Sequence, residues 1–72
     1  MKYHIDTKAS LSKVSEMKKW CIKNAPGTMF TPGTLIFGIK NGVIQKEEQI
    51  MIFSFNKEDY LNEFRTEFKK YV

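Results

Sequence analysis

The chain has one cysteine, one histidine, one arginine and two prolines in 72 residues, and each scarcity removes a class of protein. A lone Cys21 cannot close an intrachain disulfide, so a stapled secreted miniprotein is excluded. One histidine, His4, and one distant cysteine do not make a set with metal-ligand spacing, so neither a metal nor another cofactor is expected. A single arginine, Arg65, is a poor endowment for bidentate recognition of bases or phosphates. The longest apolar runs, Leu35–Ile39 and Ile50–Phe53, fall far short of the roughly 20 residues needed to span a bilayer. Met1–Lys8 contains no apolar signal-peptide core, and no lipidation signal is present. A cytoplasmic protein held together by packing alone, with no membrane attachment, is the expectation.

What is present is apolar enough to fold. Hydrophobic residues make up 42% and aromatics 14%, which excludes a disordered tail. The length predicts one domain over residues 1–72. Such a chain buries only about 60% of the surface its unfolded form exposes, so most of its aromatics are needed inside. The net charge of +4 is unevenly placed. Residues 1–27 carry Lys2, Lys8, Lys13, Lys18, Lys19 and Lys23 against Asp6 and Glu16, whereas residues 28–55 and 56–72 are each neutral. Any acidic partner is therefore expected at the N-terminal third.

The apolar periodicity predicts an α+β fold, a small two-layer β-α-β-β(-β)-α domain with two amphipathic helices on one sheet face. Lys2–Asp6 alternates as a short strand, with Tyr3 and Ile5 on one side. Ser10 and Ser12 both suit the N-cap of a following helix. In that helix Leu11, Val14, Met17, Cys21 and Ala25 form the apolar stripe, with Ile22 at its edge, and Pro26 ends it. Asn41-Gly42 tolerates the positive φ angles of a type I′ turn and predicts an antiparallel hairpin that pairs Lys40 with Val43 and Ile39 with Ile44. Extended, that register sets Phe30 opposite Phe53. It also creates a conflict of faces. Leu35, Phe37, Ile39 and Ile44 fall on one side, and Phe30, Met51, Phe53 and Phe55 on the other. Either both faces are covered, or a bulge flips the pleat near Thr31-Pro32-Gly33 and Lys46–Gln49; Pro32 and Gly33 favour the break, and the strand after the turn is then expected to split, with its second piece at Gln49–Phe55. Asn56 with Asp59 three residues later resembles a capping box for a last helix, whose apolar face is Leu61, Phe64, Phe68 and Tyr71, flanked by Tyr60 and Val72.

Catalytic constellations are thin. Cys21 lies on the apolar stripe, where a thiol is inert. Glu47-Glu48 reads as an acid pair in a loop rather than a catalytic pair, because adjacent strand residues point apart. The two Pro-Gly-Thr turns lack the glycine-rich run and lysine of a phosphate loop. An enzyme reading, a minimal nuclease or toxin, would rest on His4 alone. The leading expectation is a small non-enzymatic binding protein, an accessory or phage-type regulator or inhibitor that occupies a surface on a macromolecular partner. Protein is favoured over nucleic acid. Lys13, Lys19 and Lys23 on the first helix would steer the encounter. Trp20, Met29 and Phe30 would anchor it, the last two as a knuckle between two Pro-Gly turns. The alternative is a nucleic-acid-binding module in which Lys8, Lys13, Lys19 and Lys23 contact phosphates from the helix's basic face, with Phe53 and Phe55 spaced as stacking rings. An apolar hairpin with both faces partly hydrophobic also raises homodimerisation.

Overall fold

A computed structural model describes residues 3–72. The domain is α+β, with three antiparallel strands and two helices. In chain order the elements are β1 (Tyr3–Ser10), α1 (Leu11–Asn24), β2 (Met29–Lys40), β3 (Val43–Phe55) and α2 (Glu58–Glu67), followed by a 3₁₀ turn at Lys69–Tyr71. The sheet order is β1-β3-β2, so β3 runs antiparallel to a neighbour on each side. β1 and β2 are therefore parallel to each other, and α1 carries the chain across from one edge to the other.

The core forms because three apolar patterns meet on one sheet face. From β3 come Met51, Phe53 and Phe55, and from α1 come Val14, Met17 and Cys21, with Ala25 just beyond its end; Phe64 of α2 and Phe68 close the layer, and all of these are buried. Phe64 sits at the centre, with ring centroids 4.7 Å from Phe53, 4.9 Å from Phe68 and 5.4 Å from Phe55. Each such side chain contributes about 1.5–3 kcal/mol by leaving water. Leu11, predicted in the stripe, is instead exposed at the start of α1. Thr7, buried on β1, is satisfied by donating its hydroxyl to the Met51 carbonyl at 2.9 Å.

Local signals settled most element ends. Ser10 caps α1, its hydroxyl accepting from the Lys13 amide at 3.3 Å, whereas Ser12 lies inside the helix. β1 runs four residues further than the alternating pattern suggested, because Thr7 and Ala9 pair with Met51 and Gln49. The predicted strand start, Lys2, lies outside the described residues. α2 corrects the capping-box expectation. Its N-cap is Lys57, with no side-chain cap bond, and Asn56 stays outside the helix. Glu58 and Asp59 in the first turn meet the positive helix end instead.

The hairpin turn is as the sequence predicts: Asn41 at φ 53° and Gly42 at φ 75°, with Lys40 opposite Val43 and Ile39 opposite Ile44. Phe30 is opposite Phe53, on the same extended register. Between those points the register slips twice, in opposite senses. Gln45 is an extra residue in β3, and in β2 Gly33-Thr34 face the single β3 residue Ile50. Gly33 allows the second slip: a Cβ there would lie 3.1 Å from both the Ile50 carbonyl and its Cγ2. The two slips cancel and bring Leu35, Phe37 and Ile39 onto the face of Phe30, Phe53 and Met51. The face conflict is thus resolved by single-residue slips, not by dividing the strand. β3 is continuous from Val43 to Phe55, and Glu47-Glu48 lie within it, not in a loop.

Candidate functional site: a protruding apolar arm

β1 pairs with β3 only as far as Ser10 opposite Glu48. Beyond that point β2 and β3 continue alone as a two-stranded arm, and the molecule measures 45 × 19 × 17 Å. The arm leaves the helices behind but keeps its apolar residues. Leu35, Phe37, Ile39 and Ile44 prolong the core face past the end of the helical layer, while Ile36 and Val43 lie on the reverse face. All six are exposed, from 36% at Ile36 to 66% at Ile39, and they are six of the ten exposed large hydrophobics among the described residues. Singly exposed apolar residues are ordinary; Leu35, Phe37, Ile39 and Ile44 together on one face form a patch that is a candidate contact surface.

The arm's polar residues sit mainly on β3. Lys46 and Glu48 pair across the reverse face at 3.2 Å, and Glu47 stands opposite Phe37. Lys46 is exposed and Glu48 mostly covered, and the pair keeps the β3 side of the arm polar. β2 from Leu35 to Ile39 carries no charge.

The anchors expected from sequence are mostly not free. Trp20 packs edge-on against Phe64 and Phe68, with centroids at 5.8 and 5.9 Å, so it seals the α1–α2 seam. Phe30 packs edge-on against Phe53 at 5.4 Å, with the Lys18 ammonium 5.9 Å from its ring. Met29 is exposed, but it and Phe30 are successive residues of β2 and point to opposite faces, so there is no knuckle between two turns. The second Pro-Gly is a slip inside the strand.

The basic set is also divided. Lys8 is on β1, opposite Ile50, and not on the helix. Lys13 is half-buried, pairs with Glu16 at 2.6 Å and lies 5.4 Å from the Tyr71 ring; the hydrogen bond to Glu16 holds its pKa above the ordinary lysine value. Lys19 and Lys23 remain, exposed and one helical turn apart. Phe53 and Phe55 are fully buried and cannot stack a base.

Cys21 and His4 lie outside the arm. Cys21 is fully buried, and loss of hydration pushes its thiol up to about 12, so it is protonated and inert at neutral pH. His4 is exposed on the sheet face away from the helices, its Nδ1 2.8 Å from the hydroxyl of the mostly buried Ser54. Among the described residues no group of three or more His, Cys, Asp or Glu is placed to hold a metal ion, and no helix is long and apolar enough to cross a membrane. The signal for the arm was present in the sequence as a hairpin apolar on both faces. What the sequence could not show is that β1 ends too early to cover it. No family model matches the chain, and no curated protein or solved structure matches it either, so the arm is read from its own geometry.

Proposed function

We propose that the chain is a non-enzymatic binding protein that engages a protein partner through its hairpin arm, as a small accessory protein, regulator or inhibitor does. The observation that supports this reading is the concentration of six exposed apolar side chains on a segment that contributes nothing to the core. A two-stranded ribbon gains little stability in water by itself, so apolar residues kept on both of its faces serve a contact better than they serve the fold. Lys19 and Lys23 add a positive field that would speed encounter with an acidic surface.

A photoreactive phenylalanine analogue at position 37 of the full chain tests this. The expected result is a discrete adduct, competed away by unlabelled wild-type protein and not by the Phe37→Lys variant. An adduct pattern unaffected by either competitor would contradict the reading. The nucleic-acid alternative is tested by titrating duplex DNA, single-stranded DNA and RNA at two salt concentrations. Tight binding with a steep salt slope, lost in the Lys19→Glu/Lys23→Glu double variant, would replace the arm with the helix as the working surface.

A further inference from the structure

We infer that the arm's partner is a second copy of this chain, joined edge to edge along β2 across a two-fold axis at Phe37. The inference rests on the arm being a binding surface and names what binds it.

The edges of the sheet differ in how they are guarded. Natural sheets protect free edges with charges, prolines and bulges. The free edge of β1 carries Asp6 and Lys8. The outer edge of β3 along the arm carries Lys46 and Glu47 and is distorted by the extra residue Gln45. β2 is guarded at its inner end by Pro32 and the slip at Gly33-Thr34. From Leu35 to Ile39 it has no charge, no proline and no slip of its own, so one stretch of edge is left open.

Backbone direction makes that stretch competent to pair. Lys40 and Val43 close the two-residue turn, so their backbone groups face each other. Peptide groups alternate along a strand, which directs the N–H and C=O groups of Ile39, Phe37 and Leu35 to the open edge. An antiparallel pairing centred on Phe37 matches these same residues. Phe37 meets its counterpart, and Leu35 meets Ile39 of the other copy. All of these side chains lie on the helix-side face, so the two apolar stripes merge into one. On the reverse face Ile36 meets Gly38 and Thr34 meets Lys40. No like charges are opposed, which a two-fold edge contact must satisfy because the same patch is used twice.

Charge agrees. The excess of lysine lies in residues 1–27, and the arm over residues 34–48 is neutral, with Lys40 and Lys46 against Glu47 and Glu48. The pairing also gives the arm a third and fourth strand, the number at which a sheet becomes independently stable.

The test is the solution mass of the full chain across a wide concentration range, by sedimentation or light scattering. Wild type is expected to move from 8.5 kDa to twice that mass and stop there. Phe37→Lys and Phe37→Pro are each expected to remain monomeric and folded by circular dichroism; the proline removes only an edge-facing N–H. Ile22→Lys, at an exposed apolar residue on α1, is expected to dimerise like wild type. Under mild oxidation Phe37→Cys is expected to give a covalent dimer and Thr34→Cys is not, since Cys21 is buried and unreactive. Monomer at every concentration, mass growing without limit, or a dimer indifferent to Phe37→Pro would each overturn the inference. If self-association fails while the position-37 adduct with another protein persists, the arm remains a binding surface and only the identity of its partner is wrong.

Discussion

The two ends of β3 carry the same kind of sequence and meet different fates. In the body, Met51, Phe53 and Phe55 lie under two helices and are buried to 2% or less. In the arm, Val43 and Ile44 of the same strand are each 57% exposed. Strand propensity and alternation do not separate them. Coverage does: β1 and both helices end before the arm begins. A hydrophobic strand residue is therefore buried or exposed according to which elements lie over it, and here they lie over only part of the hairpin.

The largest effect expected from this contrast is at the body's centre. Phe64→Ala removes the ring that touches Trp20, Phe53, Phe55 and Phe68, and it should cost about 3–5 kcal/mol in urea unfolding, enough to unfold most of a domain this small. A cost below about 1 kcal/mol would mean the layer is not packed as described. Next comes the joint between the regions. Gly33→Ala places a methyl group 3.1 Å from Ile50 backbone and side chain, and overpacking of this kind should cost about 1–3 kcal/mol. Ser10→Ala, which removes the α1 cap, should cost about 1 kcal/mol by the same assay. Smallest is the arm. Phe37→Ser, measured in dilute protein where no association occurs, should change stability by no more than about 0.5 kcal/mol. Equal costs at Phe37 and Phe64 would erase the contrast.

Cys21 offers a pH-dependent version of the same comparison. Its thiol is pushed from 9.0 up to about 12 by burial, while the unfolded chain ionises near the ordinary value. The unfolded state therefore loses its proton first as pH rises. The stability from this group is complete below pH 9 and is lost between pH 9 and about 12. Cys21→Ala should lack that loss, so the stability gap between it and wild type should narrow as pH is raised through this window. Thiol labelling of the native protein at pH 8 should be slow and should become rapid in denaturant.

Much of this was legible in the residues. Asn41-Gly42 fixed the turn and, with it, the pairing of Phe30 with Phe53, because the two slips cancel. The α1 stripe placed Val14, Met17, Cys21 and Ala25 in the core. Other features depended on long-range contacts that no local pattern carries. Trp20 reads as a flank residue until α2 brings Phe64 and Phe68 against it. Lys8 reads as part of the basic helix until β1 extends through Ser10. Asn56 reads as a cap until α2 starts two residues later. The arm itself was visible as an apolar hairpin, but its freedom follows from where β1 stops, which is set by pairing with β3.

Amide hydrogen exchange resolved by residue, at low and high protein concentration, tests most directly whether the arm is a contact surface and the body a core. In dilute protein the amides of Met51, Phe53 and Phe55 should be protected, and those of Leu35, Phe37 and Ile39, which face the open edge, should exchange freely. At high concentration these three should become protected while the body is unchanged. Arm amides as protected as the body's at every dilution would contradict the account, and arm amides unprotected at every concentration would contradict the pairing of one copy with another.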